Sequence, residues 1–143
     1  MKKYLICDAV RADSGKTETL LKVIEKLGGD KVAKMIDVKD KYAIIDVDGE
    51  KVGVVTLGDP GCGLGDYLQE IADESAKIIV AASRTRGCTV DDVVRVANKN
   101  GYEVIWFNNF YFNGHSDEES RSLLNSLSAD AVVSTVHALL SMN

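Results

Sequence analysis

The chain has few of the features that would assign it a class at once. It carries three cysteines, Cys7, Cys62 and Cys88, and none sits in a C-x-x-C pair. Their spacings suit no zinc site, and a disulfide framework has too little to build on. Cys7 falls in an apolar run and reads as a small core side chain. Cys62 and Cys88 fall in glycine-containing loops, where a reactive thiol and a bystander are both open readings. There is no excess of basic residues: net charge is −5 and the sequence pI is near 5.0. Nonspecific nucleic-acid binding is therefore not expected. No apolar run approaches the roughly 18 residues of a membrane span, so no membrane partner is expected. The amino-terminal residues enter a strand pattern almost at once, without signal-peptide architecture, and a reduced, cytoplasmic setting is the expectation. Internal repeats, low-complexity stretches and linkers are also missing.

What is present is ordinary globular material. At 143 residues, with 45% apolar and 27% charged residues, a single domain spanning 1–143 with its own core is expected. Lys3 to Asp8 reads as a buried strand, and Thr17 to Leu27 as a helix with Leu20, Ile24 and Leu27 on one stripe, ended by Gly28-Gly29. Lys31 to Val38 reads as a strand, as do Lys41 to Val47 and Lys51 to Leu57. Asp48-Gly49 between the last two is a two-residue hairpin turn. A loop follows in which Gly58, Gly61, Gly63 and Gly65 recur. Asp66 to Ser75 is a predicted helix with Leu68, Ile71 and Ala72 inward. The run Lys77 to Ala82 is nearly all apolar, as a strand covered on both faces requires. Thr89-x-x-Asp92 is an N-cap signature for a helix reaching Asn100, with Gly101 after it. Tyr102 to Phe107 reads as another buried strand. Ser116-x-x-Glu119 forms a capping box that opens a helical region to about Leu140, with a break expected near Ser128. The later part of that region is more apolar and is expected to pack on the sheet. Strands and helices alternate, so the predicted fold is α/β. It has three layers, α/β/α, around a mainly parallel sheet of about six strands with an antiparallel edge hairpin.

Ser14-Gly15-Lys16-Thr17 lies between the first strand and the first helix. At such a turn, backbone N–H groups wrap phosphates, the lysine reaches the outer ones, and the threonine hydroxyl ligates Mg²⁺. The full pattern G-x-x-x-x-G-K-[ST] has a further glycine five residues before Gly15, where this chain has Val10. With this motif the chain resembles the P-loop NTPases, over most of its length as architecture and over about twenty residues as motif. The resemblance implies a Walker B acid at the carboxyl end of a later strand, and Val52 to Leu57 followed by Gly58-Asp59 has that form. It also implies nucleotide binding by Arg11, Ala12, Asp13, Ser14, Gly15, Lys16, Thr17 and Glu18, with Thr17 and Asp59 placing the metal. The hairpin ahead of Asp59 resembles the Ras-like layout. There are departures from that layout. Asp59-Pro60-Gly61 puts the glycine one residue earlier than D-x-x-G. Ser83 to Gly87 stands where N-K-x-D would read guanine. The single glutamine, Gln69, lies inside a predicted helix rather than in the loop after Asp59.

Val10 is β-branched and a poor substitute where the loop's first glycine turns sharply. Arg11 can add positive charge near a phosphate, whereas Asp13 repels one unless a cation offsets it. Arg84 and Arg86 follow the Lys77 strand, and their guanidinium groups can clamp a transferring phosphoryl group or pair with nearby carboxylates. Asp8 ends the first strand beside the motif, as a metal-shell or base residue or as an anchor for backbone. Asp46 and Asp48 read as turn residues. Asn108 and Asn109 can contact a base or cap a turn. Tyr111, Phe112 and His115 can stack on a nucleobase or make core or partner contacts. His137 reads as a structural residue among apolar neighbours.

The leading expectation is a protein that binds ATP or GTP with Mg²⁺ through a modified P-loop, with slow hydrolysis in view. Lys16, Arg84 and Arg86 are the candidate catalytic residues. Two alternatives stand: a non-catalytic regulatory or interaction protein on a degenerate P-loop fold, and a small-molecule or nucleotide phosphotransferase. A protein partner or a homodimer fits either.

Overall fold

The structure is a computed structural model and describes residues 2–9, 15–57, 63–85 and 87–142. In chain order the elements are β1 (Lys3–Ala9), α1 (Lys16–Lys26), β2 (Lys34–Met35), β3 (Lys41–Val47), β4 (Glu50–Val55), α2 (Leu64–Asp73), β5 (Ile78–Ser83), α3 (Cys88–Asn100), β6 (Tyr102–Phe107) and α4 (Glu118–Ser141).

The six strands form one sheet in the order β2-β3-β4-β5-β1-β6. β4, β5, β1 and β6 run parallel, and β2 and β3 add an antiparallel edge. Strand alternation divides the core in two. Ile6, Val54, Ile78 and Val80 meet Leu20, Val23 and Ile24 of α1 and Ala129, Val132 and Val136 of α4. Leu5, Cys7, Ile79 and Ala81 meet Leu64, Leu68 and Ile71 of α2 and Val93, Val96 and Ala97 of α3. Helices thus cover both faces, as the near-continuous apolar run of β5 requires.

Local chemistry explains most boundaries. Leu27 caps α1, and Gly28 at φ 77° lets its N–H reach the Glu25 carbonyl while that of Gly29 reaches the Ile24 carbonyl. This is the double bond that closes a helix through a left-handed glycine. Asp48 at φ 51° and Gly49 at φ 84° make the tight β3–β4 turn, whose twist matches that of the paired strands.

Several expectations are corrected. Lys31 to Val38 is not a full strand: only Lys34–Met35 pair, antiparallel to Lys41–Tyr42. The Asp37 carboxylate accepts the N–H groups of Lys39 and Asp40 and bends the chain there, and Val32, Met35 and Val38 are left exposed. α3 is not capped by Thr89. Gly87 occupies the N-cap, and the Thr89 hydroxyl accepts the Arg84 N–H at 3.0 Å instead. α4 starts one residue later than a Ser116 cap would give. Its N-cap is Asp117, whose carboxylate accepts the Ser120 N–H at 2.7 Å. It continues unbroken through Ser128. β6 is an edge strand and only partly buried, with Trp106 exposed. Gly65 lies in α2 rather than in a loop, Gly63 is that helix's left-handed N-cap, and Cys88 opens α3. α4 is long and apolar enough in composition to cross a membrane, but its buried residues Ala129, Val132, Val136 and Leu140 belong to the sheet-facing core.

Candidate functional site

The parallel strands β4, β5, β1 and β6 all end at one edge of the sheet. From that edge the chain leaves β1 and β6 for helices on one face, and β4 and β5 for helices on the other. The direction of exit reverses between β5 and β1, and a crevice opens at such a switch point outside the carboxyl ends of the strands. The residues of the Gly-Lys-Thr motif stand beside it.

Gly15 is the N-cap of α1, at φ 88° and ψ 16°. A side chain here would be strained by the left-handed backbone, and a Cβ would lie 2.5 Å from Asn125 Oδ1 of α4. The left-handed backbone therefore favours glycine, and a Cβ would in addition displace the Asn125 side chain. The first N–H groups of α1 have no intrahelical acceptor and carry the positive end of the helix dipole. Lys16 is the first helical residue and is buried, with 7% of its surface exposed. Its ammonium donates to the Ser83 carbonyl at the end of β5, at 2.8 Å. Thr17 is half-buried and Glu18 exposed, both in the first turn of α1.

Asp8 is the least solvated acid near the crevice among the described residues, with 1% of its surface exposed. Its Oδ1 accepts the Asn109 N–H at 3.1 Å, while its Oδ2 is buried without a hydrogen-bond partner among the described residues. Burial pushes its carboxyl up to about 7, against the lowering effects of the Asn109 N–H and the Lys16 charge. Near neutrality this group is partly protonated, and its orphaned oxygen is ready for a proton, a cation or a ligand donor. Cys7, which follows the opposite face of β1, is different. Its thiol donates to Ser83 Oγ at 3.3 Å, and burial pushes it up to about 12. It is an inert core thiol.

Arg84 follows β5 directly. Its N–H is held by Thr89, and its carbonyl accepts the Ser83 hydroxyl at 2.9 Å. The Lys16 ammonium and the Thr89 hydroxyl therefore bond the carbonyl and the N–H of one peptide, Ser83–Arg84, at the end of β5. Of the other predicted site residues, Val10, Arg11, Ala12, Asp13 and Ser14 lie outside the described residues, as do Gly58, Asp59, Pro60, Gly61, Cys62 and Arg86. β4 does run to the expected sheet edge, with Thr56 and Leu57 buried just ahead of Asp59. β5 separates it from β1.

The segment after β6 closes the site on the α4 side. Asn109 donates its N–H to Asp8 and its amide to the Phe110 carbonyl at 3.0 Å, and the Phe110 N–H donates to Ser128 Oγ at 2.8 Å. A pocket of about 330 Å³ lies between this segment, the first turn of α1 and the first turns of α4. Asn125 also accepts from the Thr19 hydroxyl at 3.5 Å, which ties α4 to α1. Asn125 and Ser128 are the residues that sequence reasoning misses. They sit more than 100 positions from the motif, and nothing local marks them.

His137, expected among apolar neighbours, is half exposed, with Nδ1 2.8 Å from Asp48 Oδ2 at the hairpin turn. It plays no part in the crevice. Among the described residues no group of three His, Cys, Asp or Glu side chains is gathered as a metal site. No protein-family model, curated protein or solved structure matches this chain.

Proposed function

We propose that this chain binds a nucleoside triphosphate, ATP or GTP, with Mg²⁺ at the α1 terminus, in the manner of a P-loop protein with a modified first half of the loop. The observation that carries the reading is the placement of Lys16. A buried ammonium stands at the switch-point crevice, beside a glycine-capped helix N-terminus and a buried carboxylate with one unsatisfied oxygen. An ammonium at this place can meet phosphate oxygens, and the helix terminus supplies further N–H groups. In this reading Lys16 neutralises β- and γ-phosphate charge, with Gly15, Thr17 and Glu18 beneath the phosphates and Arg11, Ala12, Asp13 and Ser14 completing the loop. The Thr17 hydroxyl and Asp59 would hold the metal, and the orphaned oxygen of Asp8 supports a cation or its water nearby. Mg²⁺ when bound supplies charge neutralisation across the phosphates.

Calorimetric titration with ATP and GTP, with and without Mg²⁺, tests the reading. Binding that Mg²⁺ strengthens and Lys16→Ala abolishes is expected, together with a nucleotide-induced rise in melting temperature that the variant lacks. Absence of binding at millimolar nucleotide overturns it and favours an interaction protein built on the same fold.

A second reading, phosphotransfer, draws support from Asp8 and Arg84 together. A carboxyl that titrates near neutrality can take the proton of an acceptor hydroxyl, and Arg84, with Arg86 beyond it, can meet the transferring phosphoryl group. Transfer of labelled γ-phosphate to a small acceptor, faster than its release to water, would separate phosphotransfer from hydrolysis.

A further inference from the structure

We infer that the pocket beside Gly15 receives the heteroaromatic base of the bound nucleotide, stacked on the aromatic segment Phe110–Phe112. The inference rests on the nucleotide reading above and names the part of the ligand that reading leaves open. The pocket is walled by Gly15 and Glu18 of α1, Phe110 and Phe112 after β6, and Arg121 and Asn125 of α4. Its volume of about 330 Å³ falls at the small end of the roughly 300–1,000 Å³ typical of ligand sites. Gly15 belongs both to this wall and to the helix terminus. A ligand with phosphates at α1 can therefore extend its next moiety into this pocket.

Three consecutive aromatic side chains, Phe110, Tyr111 and Phe112, are 59%, 44% and 42% exposed. They add little to the core, and an exposed aromatic cluster of this kind marks a binding surface. The backbone of Phe110 is nevertheless fixed. The Phe110 N–H is held by Ser128, its carbonyl by the Asn109 amide, and Asn109 in turn by Asp8. A platform fixed before the ligand arrives loses little freedom on binding. Polar groups line the same pocket. Ser116 Oγ is shielded from solvent with no hydrogen-bond partner among the described residues, and the Arg121 guanidinium donates to the Ser116 carbonyl. With the Glu18 carboxylate, these groups can meet ring nitrogens and exocyclic groups. Stacking accepts every base because every base has a π-face. ATP and GTP are therefore expected to bind within about tenfold of each other, in keeping with the missing N-K-x-D motif.

The test is calorimetric titration of the full chain with Mg²⁺ and inorganic tripolyphosphate, ATP or GTP. The double variant Phe110→Ala/Phe112→Ala and the single variant Phe112→Leu are compared with wild type. Wild type is expected to bind both nucleotides more tightly than tripolyphosphate. The double variant should lose about 5- to 150-fold in nucleotide affinity, the range that removal of a stacking ring gives, with tripolyphosphate affinity unchanged. Phe112→Leu, which keeps apolar bulk without a ring, should lose a part of the same gain. If tripolyphosphate binds through Lys16 but nucleotides bind no tighter, or the aromatic variants bind them as wild type does, the base site is wrong while the phosphate site stands. If the variants lose self-association in sedimentation and keep nucleotide affinity, the segment is a subunit contact and the inference is overturned. If neither tripolyphosphate nor nucleotide binds, the phosphate reading fails and this inference fails with it.

Discussion

Replacing Asp8 by asparagine should remove most of the pH dependence of stability between pH 5 and 8. The carboxyl is raised from 3.8 to about 7, chiefly by burial. Between those values the native state holds a proton that the unfolded chain has released, so stability falls as pH rises through the window. The full effect is about 4 kcal/mol, at ~1.36 kcal/mol per pKa unit, and about 2–3 kcal/mol of it falls between pH 5 and pH 8. The stability is fully present below pH 3.8 and lost above about pH 7. Asp37 and Asp117 have carboxyls lowered by N–H donors. Their contributions have the opposite sign and fall away only in more acid solution. Cys7 and Tyr102 are both raised to about 12 and titrate above the window. Asparagine keeps an oxygen for the Asn109 N–H and places an amide where the protonated carboxyl has its hydroxyl, so the variant mimics the acid form. Urea unfolding of wild type and Asp8→Asn at intervals from pH 5 to 8 should show curves that separate with pH, the variant becoming the more stable. Parallel curves would refute the account of Asp8 as a desolvated acid.

Two glycines give further tests. Gly15→Ala should cost roughly 1–3 kcal/mol, because it puts a Cβ on a left-handed backbone and 2.5 Å from Asn125 Oδ1. Adding Asn125→Ala should recover the steric part and leave the conformational part, as measured by urea unfolding. Gly53→Ala would place a Cβ 2.2 Å from Ile71 Cγ2, where α2 lies on β4. Overpacking of this kind costs about 1–3 kcal/mol, and Gly53→Ala/Ile71→Ala should be less destabilised than the sum of the two single changes.

The sheet was largely legible because its strands are short, apolar and bounded by turn chemistry. The run Lys77 to Ala82 and the Asp48-Gly49 turn each carry a local signal that the structure reproduces within a residue or two. The edge was not legible. The apolar residues Val32, Met35 and Val38 mimic a strand, but they stay exposed, and Asp37 captures the N–H groups of Lys39 and Asp40 in a turn. The caps were shifted for a similar reason. Thr89 and Ser116 have suitable side chains, yet Gly87 and Asp117 hold the N-cap positions, and the Thr89 hydroxyl is committed to Arg84. Gly15 and Lys16 announced themselves as a motif. The pocket beside them did not, because it depends on Asn125 and Ser128, which only tertiary folding brings to the end of β1. The aromatic triplet directly after Asn108-Asn109 was the one local hint of it.

The contacts around Asp8 make the two halves of the candidate site depend on one another. Its carboxylate holds Asn109, Asn109 holds the carbonyl of Phe110, and Ser128 holds the Phe110 N–H. The same carboxylate lies in the field of the Lys16 ammonium. A ligand phosphate drawn to Lys16 adds negative charge near Asp8 and favours its protonated form. The Asn109 N–H bond then has a neutral acceptor and weakens, since bonds to ionised acceptors are roughly twice as strong. A cation beside Oδ2 has the reverse effect, keeping the carboxylate ionised and the bond strong. If the proposed nucleotide and metal bind there, they would act on the segment after β6 with opposite sign through one buried acid. Tripolyphosphate without Mg²⁺ should speed amide hydrogen exchange at Asn109 and Phe110, whose N–H groups Asp8 and Ser128 hold, and added Mg²⁺ should slow it again; unchanged exchange in both would refute the coupling.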